Sequence, residues 1–265
     1  MAFFEAPEGL DEAPETAAEA LGREVAARLE AATSLSEPDV RWWWEPGARR
    51  GPTPEGEGDH LLQITRTLWV HRRGSASDAH ERRGGDPSGP APEGTVVRLE
   101  PGLGFGDAGH PTTRAALAQL EAVVTAGDTV LDLGTGTGIL GVTAALLGAG
   151  TVEAVDRDEY ACRAARVNAE VNGVAERVRV TRRSVEVGDL TGWGPWDGVL
   201  ANVVPGVLAP LLPELSAELR EGGWLVLAGA SGGERDGLRS AARRAGLRLA
   251  RERMDDGWWT AVFRR

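Results

Sequence analysis

Residues 130–138 read Val-Leu-Asp-Leu-Gly-Thr-Gly-Thr-Gly. An apolar run containing Asp132 leads into Gly134, Gly136 and Gly138, which alternate with threonines. Glycine lets a backbone turn tightly and approach a ligand closely, because it has no Cβ. The helix predicted after the loop offers unpaired N–H groups at its start. The stretch therefore predicts a ligand-binding loop between a buried strand and a helix.

The flanking sequence places this loop in an α/β fold. Strands are predicted at 128–133, 151–156, 177–184, 196–203 and 224–229, and helices at 111–124, 138–149, 159–173, 207–223 and 234–246. Two more strands surround the Asp256-Gly257 turn. This alternation predicts a doubly wound, mostly parallel sheet with a terminal antiparallel hairpin. In such sheets ligands bind beyond the carboxyl ends of the strands, where the glycine loop falls.

An acidic residue ends the strand that follows the glycine loop. Asp156 lies 22 residues after Gly134, where its carboxylate can accept hydrogen bonds from both hydroxyls of an adenosine ribose. The dinucleotide fingerprint is G-x-G-x-x-G, and its third glycine would fall on Ile139. The observed G-x-G-x-G after Leu-Asp-Leu instead resembles the motif of class I S-adenosylmethionine (SAM)-dependent methyltransferases. In those enzymes the acid at Asp132 orients the loop or the methionine amine.

Amino-acid composition and charge limit the kinds of partner, compartment and metal site that the sequence predicts. The net charge is −11, which gives no broad electrostatic footprint for nucleic acid. No apolar stretch is long enough for a membrane span, and the acidic start lacks the features of a signal peptide, so we expect a cytoplasmic protein. The one cysteine, Cys162, excludes an internal disulfide framework and a cysteine metal cluster, and no metal site is predicted. The sequence does not indicate an oligomeric state.

Two further stretches narrow the class of methyltransferase. Residues 101–114 read PGLGFGDAGHPTTR and residues 197–205 read DGVLANVVP. Together with the glycine loop and AVDRD at 154–158, they resemble the ribosomal protein methyltransferases of the PrmA family. The resemblance covers about residues 95 to 265. It implies that SAM is the cofactor and that the acceptors are amines, lysine or N-terminal, of the eleventh protein of the large ribosomal subunit.

The same resemblance implies a set of site residues. Thr113, Gly134, Asp156 and Asn202 fall on the family's cofactor-contacting positions. The full predicted cofactor-binding set also contains Asp132, Thr135, Gly136, Gly138, Arg157 and Ser184. Asn202 is also the catalytic candidate, because its amide can orient the N–H of an acceptor amine. A dedicated base is optional, since the proton can pass to solvent before transfer. Helix capping is the alternative role for Thr112 and Thr113, and His110 is expected to order its loop.

The sequence departs from the family pattern in two places. Within residues 104–109 an added acid, Asp107, either binds a cationic group or points to solvent. Residues 1–94 contain a predicted helix at about 14–32, a Trp-rich loop at Trp42–Trp44, one strand at 61–71 and a mobile linker. The tryptophans pack that helix onto the core or form a platform for substrate. This N-terminal part does not match the small α/β recognition domain of the family.

The acceptor therefore stays open at this point. The domain boundary is predicted between residues 94 and 95, with the methyltransferase domain at 95–265. The main hypothesis is methylation of protein amines. The alternatives are a SAM-dependent methyltransferase for a small-molecule amine or another protein, and a non-catalytic SAM-binding module. Arginine is disfavoured as the acceptor because residues 199–210 contain no glutamate to clamp a guanidinium. A nicotinamide oxidoreductase is disfavoured by the glycine spacing.

Overall fold

A computed structural model describes residues 60–73, 93–100, 106 and 108–265. These residues lie in one compact unit, which spans residues 56–265. The predicted helix at about 14–32, the tryptophans at 42–44, most of the linker and Asp107 lie outside the described residues. In the part that is described, no helix has the length and apolar character needed to cross a membrane.

The described residues form ten strands and five helices. The strands are β1 (His60–Gln63), β2 (Leu68–Arg72), β3 (Thr95–Leu99), β4 (Thr129–Leu133), β5 (Thr151–Asp156), β6 (Val178–Arg182), β7 (Trp196–Asn202), β8 (Leu219–Ser231), β9 (Arg248–Asp255) and β10 (Trp258–Arg264). The helices are α1 (Pro111–Val123), α2 (Ile139–Leu146), α3 (Glu159–Val171), α4 (Pro205–Glu218) and α5 (Arg235–Arg244).

The larger sheet has seven strands in the order β6-β5-β4-β7-β8-β10-β9. Strands β4 to β8 run parallel, and β10 is antiparallel to both of its neighbours. Chain order runs outward from β4 in one direction and then from β7 in the other. The predicted doubly wound sheet with a terminal antiparallel hairpin is thus confirmed, and its switch point lies between β4 and β7.

Apolar layers cover both faces of this sheet. Helices α1, α2 and α3 supply one layer, and α4 and α5 supply the other. Successive residues of β4 point to opposite faces, so Val130 packs in the first layer and Leu131 in the second. Because the sheet is covered on both faces, its central strands are nearly continuous apolar runs.

The prediction of one strand at 61–71 is wrong, because the structure places two antiparallel strands there. The Thr65 hydroxyl accepts the N–H groups of Leu68 (3.0 Å) and Thr67 (3.2 Å), which fixes a tight turn between β1 and β2. A threonine that bonds to nearby backbone is a known turn device, but it leaves the apolar alternation unbroken. Strand β2 then pairs in parallel with β3, so the pairing crosses the predicted domain boundary.

The predicted helix at 207–223 also has the wrong bounds. Helix α4 begins at Pro205 and ends at Glu218, and β8 begins at Leu219 rather than at residue 224. Leu219 pairs with Trp196 of β7, and the Arg220 guanidinium donates to the Asp197 carboxylate at 2.8 Å. These long-range contacts end the helix early, and the local sequence does not reveal them.

Candidate active site

The switch point brings the sequence-predicted residues to one end of the sheet. The glycine loop follows β4, and Asn202 is the last residue of β7, which pairs with β4 along its length. Asp156 ends β5 on the other side of β4. Arg157 and Ser184 are exposed after the ends of β5 and β6, and their assignment to the cofactor stays a prediction.

The glycines of the loop are required by backbone conformation and by close approach. Gly134, Gly136 and Gly138 all have positive φ, at 71°, 56° and 80°. A Cβ on Gly138 would lie 2.9 Å from the Cα of Ala165 in α3, and a Cβ on Gly134 would lie 2.4 Å from a methyl of Val203. The loop backbone is therefore wedged between α3 and the end of β7, where other residues are strained.

Asp132, a buried residue of β4, stabilises the conformation of the glycine loop through hydrogen bonds. Its Oδ2 accepts the hydroxyl of Thr135 (2.6 Å) and the N–H of Gly141 (3.0 Å). Burial raises the pKa of this carboxyl to about 6, although the bonds from Thr135 and Gly141 lower it, and the charge of Asp156 raises it further. A buried carboxylate of this kind is stabilised when a cation binds nearby.

Asp156 connects the loop to the next helix. Its Oδ2 accepts the N–H of Gly136 at 3.0 Å, and its Oδ1 accepts the N–H of Asp158 at 3.0 Å. The side chain is half-buried, and each carboxylate oxygen can accept a second hydrogen bond. The carboxylate is thus oriented by the protein and still able to accept two hydroxyl groups.

Thr113 and Asn202 meet on the other side of the loop, although 89 residues separate them in the chain. The Asn202 Nδ2 donates to the Thr113 hydroxyl at 3.4 Å. The Asn202 Oδ1 is buried and accepts no hydrogen bond within the described part of the chain. A buried acceptor without a partner costs about 1–3 kcal/mol. It is a place where a bound ligand would complete the hydrogen bonding.

The helix that carries Thr113 is capped by another residue. His110 is the N-cap of α1, and its Nδ1 accepts the N–H of Thr112 at 3.3 Å. The capping alternative for Thr113 is therefore wrong, because this residue lies inside the helix with its side chain buried. The His110 ring also contacts the Trp258 ring edge-on, with centroids 4.8 Å apart.

Two features of the site were missed in the sequence. A Cβ on Gly229 of β8 would lie 3.2 Å from the Asn202 Oδ1, so this glycine leaves room beside the unpartnered acceptor. Asn168 of α3 donates to the carbonyl of Thr137 in the glycine loop. A signal for Asn168 was available, because it is a polar residue among the alanines that form the buried stripe of its helix.

The site fits a cationic ligand that carries a ribose. The glycine loop gives close backbone approach, Asp156 is oriented to accept hydroxyls, and the buried Asp132 favours positive charge. The Asn202 Oδ1 can accept an N–H from the methionine amine or from an acceptor amine. These properties match the chemistry of SAM.

Comparisons with known proteins identify the family to which the chain belongs. The family model described as ribosomal protein L11 methyltransferase (PrmA) matches residues 74–265. A ribosomal protein L11 methyltransferase of Pelotomaculum thermopropionicum is 42% identical over 174 residues, which cover 64% of this chain and 54% of the relative. The relative from Exiguobacterium sp., with the same name, is 35% identical over 178 residues, 66% of this chain and 55% of its own length. The chain thus spans about half the length of these curated relatives.

A solved structure extends the comparison to three dimensions. The crystal structure of a ribosomal protein L11 methylase from Lactobacillus delbrueckii subsp. bulgaricus superposes with a TM-score of 0.65 at 27% identity, covering 78% of this chain and 98% of that one. The fold is that of the class I methyltransferases. The family match covers more than half of the chain, and the chain belongs to the ribosomal protein L11 methyltransferase (PrmA) family.

Proposed function

We propose that this protein is a SAM-dependent N-methyltransferase that acts on amines of ribosomal protein L11, and that it does so in the cytoplasm. Residues 95–265 are the transferase domain in this proposal. Membership of the family and the names of the relatives support the acceptor. The observation that carries the chemistry is the buried, unpartnered Asn202 Oδ1 beside Thr113 at the switch point of the sheet.

The residues at the loop would hold the cofactor. We assign the ribose hydroxyls to the carboxylate of Asp156, and the methionine end to the loop backbone from Gly134 to Gly138. Asp132 supplies negative charge beneath this end, and its bond to Thr135 keeps the loop in place. When bound, SAM would supply a methyl group on a sulfonium sulfur, and that sulfur would leave with the electrons of the broken C–S bond as a neutral thioether.

The acceptor side needs orientation more than acid–base catalysis. Methyl transfer to an amine is an in-line displacement, and holding the amine in place supplies much of the rate. We assign the Asn202 Oδ1 as the acceptor for an N–H of the neutral amine, which aims the nitrogen lone pair at the methyl group. Thr113 fixes the Asn202 amide through the 3.4 Å contact. The amine loses its proton to solvent before the transfer, so no side-chain base is assigned.

The test is methyl transfer from radiolabelled SAM to purified ribosomal protein L11, followed by mapping of the labelled residues. We expect label on lysine or on the N-terminal amine, and loss of label with Asn202→Ala. A lysate from cells that lack the gene serves as the second acceptor pool. Label on a small molecule or on a different protein would contradict the proposed acceptor, and binding of SAM without any transfer would contradict the enzyme assignment.

A further inference from the structure

Asn168 connects two parts of the molecule that lie far apart in sequence. It lies on α3 with only 2% of its surface exposed. Its Oδ1 accepts the N–H of Glu100, just after β3, at 3.0 Å. Its Nδ2 donates to the carbonyl of Thr137, in the glycine loop, at 2.8 Å. One buried amide thus uses both of its polar atoms to join the loop to the segment that follows β3.

A second contact joins the same two segments. The Thr137 hydroxyl donates to the carbonyl of Gly106 at 2.6 Å. Gly106 has a φ of 101°, and a Cβ at this position would lie 3.3 Å from the Thr137 hydroxyl oxygen. Residues 100 and 106 both precede α1, which carries Thr113. The glycine loop is therefore joined to Glu100 through Asn168 and directly to Gly106.

Asn172 serves as a control for Asn168, because it is an asparagine at the end of the same helix. It caps α3 one turn after Asn168, and its amide bonds to both backbone groups of Arg98, accepting the N–H at 2.8 Å and donating to the carbonyl at 2.7 Å. Its Nδ2 also reaches the carbonyl of Asn168. These contacts hold β3 on the helix, and none of them touches the glycine loop.

We infer that Asn168 is a positioning residue for the cofactor, because its amide holds the glycine loop at a fixed distance from Glu100 at the end of β3. This inference rests on the proposed function. Removing the side chain takes away this partner of the Thr137 carbonyl and leaves the contact with Gly106 as the one that remains of these two. Gly136, which bonds to Asp156, immediately precedes Thr137 in that loop. The loss should therefore appear in cofactor binding.

The experiment compares three variants of the full chain by calorimetry with SAM, by steady-state kinetics and by thermal unfolding. Asn168→Ala should raise the dissociation constant and the KM for SAM about tenfold, the equivalent of one hydrogen bond, with kcat less affected. Asn172→Ala should lower the melting temperature while the dissociation constant stays within about twofold, since its amide does not contact the loop.

Asn168→Asp separates the two halves of the amide. An ionised aspartate still accepts the Glu100 N–H but places a carboxylate oxygen against the Thr137 carbonyl, so SAM affinity should fall at pH 8. A protonated carboxyl has one donor and one acceptor, as the amide does. The ratio of variant to wild-type dissociation constants should therefore fall as the pH is lowered, and loss of the fold alone would not produce this recovery.

Two results would overturn the inference. One is that Asn168→Ala and Asn172→Ala change SAM affinity equally, or that neither changes it, while the wild type binds SAM. If Asn168→Ala does not fold, hydrogen exchange of the wild type decides, because SAM should slow exchange of the Glu100 amide as well as of Gly136. The second result that would overturn the inference is that SAM slows exchange at Gly136 but not at Glu100. A wild type that binds no SAM would instead overturn the proposed function as well.

Discussion

The two ends of β7 present opposite kinds of polar chemistry. At the amino end, Asp197 accepts the N–H and the hydroxyl of Thr129, each at 2.8 Å, and a guanidinium N–H of Arg220 at 2.8 Å. Burial alone would raise the pKa of Asp197, but these bonds lower it. At the carboxyl end, the Asn202 Oδ1 is buried and has no partner among the residues that the structure describes. A completed polar cluster and an incomplete one thus lie only five positions apart on one strand.

The adjacent strand β4 repeats this contrast. Thr129 at its start belongs to the completed cluster, whereas Asp132 near its end is buried with its pKa raised to about 6. A buried polar group that is desolvated or lacks a hydrogen-bond partner lowers stability. Such groups are therefore found mainly where a bound ligand interacts with them. We therefore expect the amino ends of these strands to contribute mainly to stability, and the carboxyl ends to contribute mainly to the proposed binding of SAM. The predictions below test that division.

Asn202→Ala should have the largest effect on turnover. Losing the orienting amide should lower kcat/KM for the acceptor about 100-fold, a typical cost of a misplaced reacting group. The free energy of unfolding should not fall by more than about 1 kcal/mol, because the substitution also removes a buried unpartnered acceptor. Chemical denaturation and the transfer assay check both values. A large loss of stability with little loss of turnover would contradict the division.

Asp156→Ala should act on cofactor affinity. Hydrogen bonds to a charged group contribute roughly 1.5–3 kcal/mol, so the dissociation constant for SAM should rise about 10- to 150-fold. Calorimetry with adenosine as a competing ligand is the control, because both ligands carry the ribose and should lose affinity together. Unchanged affinity for both ligands would show that the carboxylate does not bind the ribose.

Asp197→Ala should lower stability and leave SAM affinity unchanged, which is the reverse of what we expect for Asn202→Ala and Asp156→Ala. It removes the acceptor for Thr129 and Arg220, and we expect a loss of about 1–2 kcal/mol in the free energy of unfolding, reduced by partial exposure of the ion pair. SAM affinity should be unchanged. Arg220→Ala is the matched variant, and it should show a smaller loss because the Thr129 bonds remain. A weaker affinity for SAM in either variant would contradict the division of roles between the two ends of β7.

The smallest expected effect is a pH dependence from Asp132. Its folded pKa is raised above the unfolded value, so its contribution to stability is present below about pH 4 and is lost as the pH rises to about 6. A bound cation favours the ionised form, so SAM affinity should rise modestly with pH up to about 6. Calorimetry in buffers of different ionisation enthalpy should detect proton release near pH 6, and Asp132→Asn should abolish it.

Much of the fold was accessible from local sequence signals. The turn at Asp256-Gly257 and the helix end at Asn172-Gly173 are both confirmed, since glycines with positive φ occupy them. The two tryptophans after the turn face opposite sides of the sheet, as strand alternation predicts. Such features depend on neighbouring residues, so periodicity and turn chemistry are enough to find them.

The sequence was less informative where distant residues decide the structure. The early start of β8 depends on the ion pair between Arg220 and Asp197, and the role of Asn168 depends on Glu100 and Thr137. The meeting of Thr113 with Asn202 was implied by family resemblance rather than by spacing. No local pattern specifies which side chains meet when strands are brought together.

The position of β10 in the sheet has a consequence for folding during synthesis. This strand follows all the others in the chain order, yet it lies between β8 and β9, with Trp259 and Phe263 buried. A nascent chain that has emerged only as far as β9 therefore leaves one edge of β8 unpaired and leaves an apolar cluster without Trp259 and Phe263. Unpaired edges and exposed apolar surface make such intermediates prone to aggregation. The parallel strands are therefore protected from such aggregation only after β10 has been synthesised and has paired with β8.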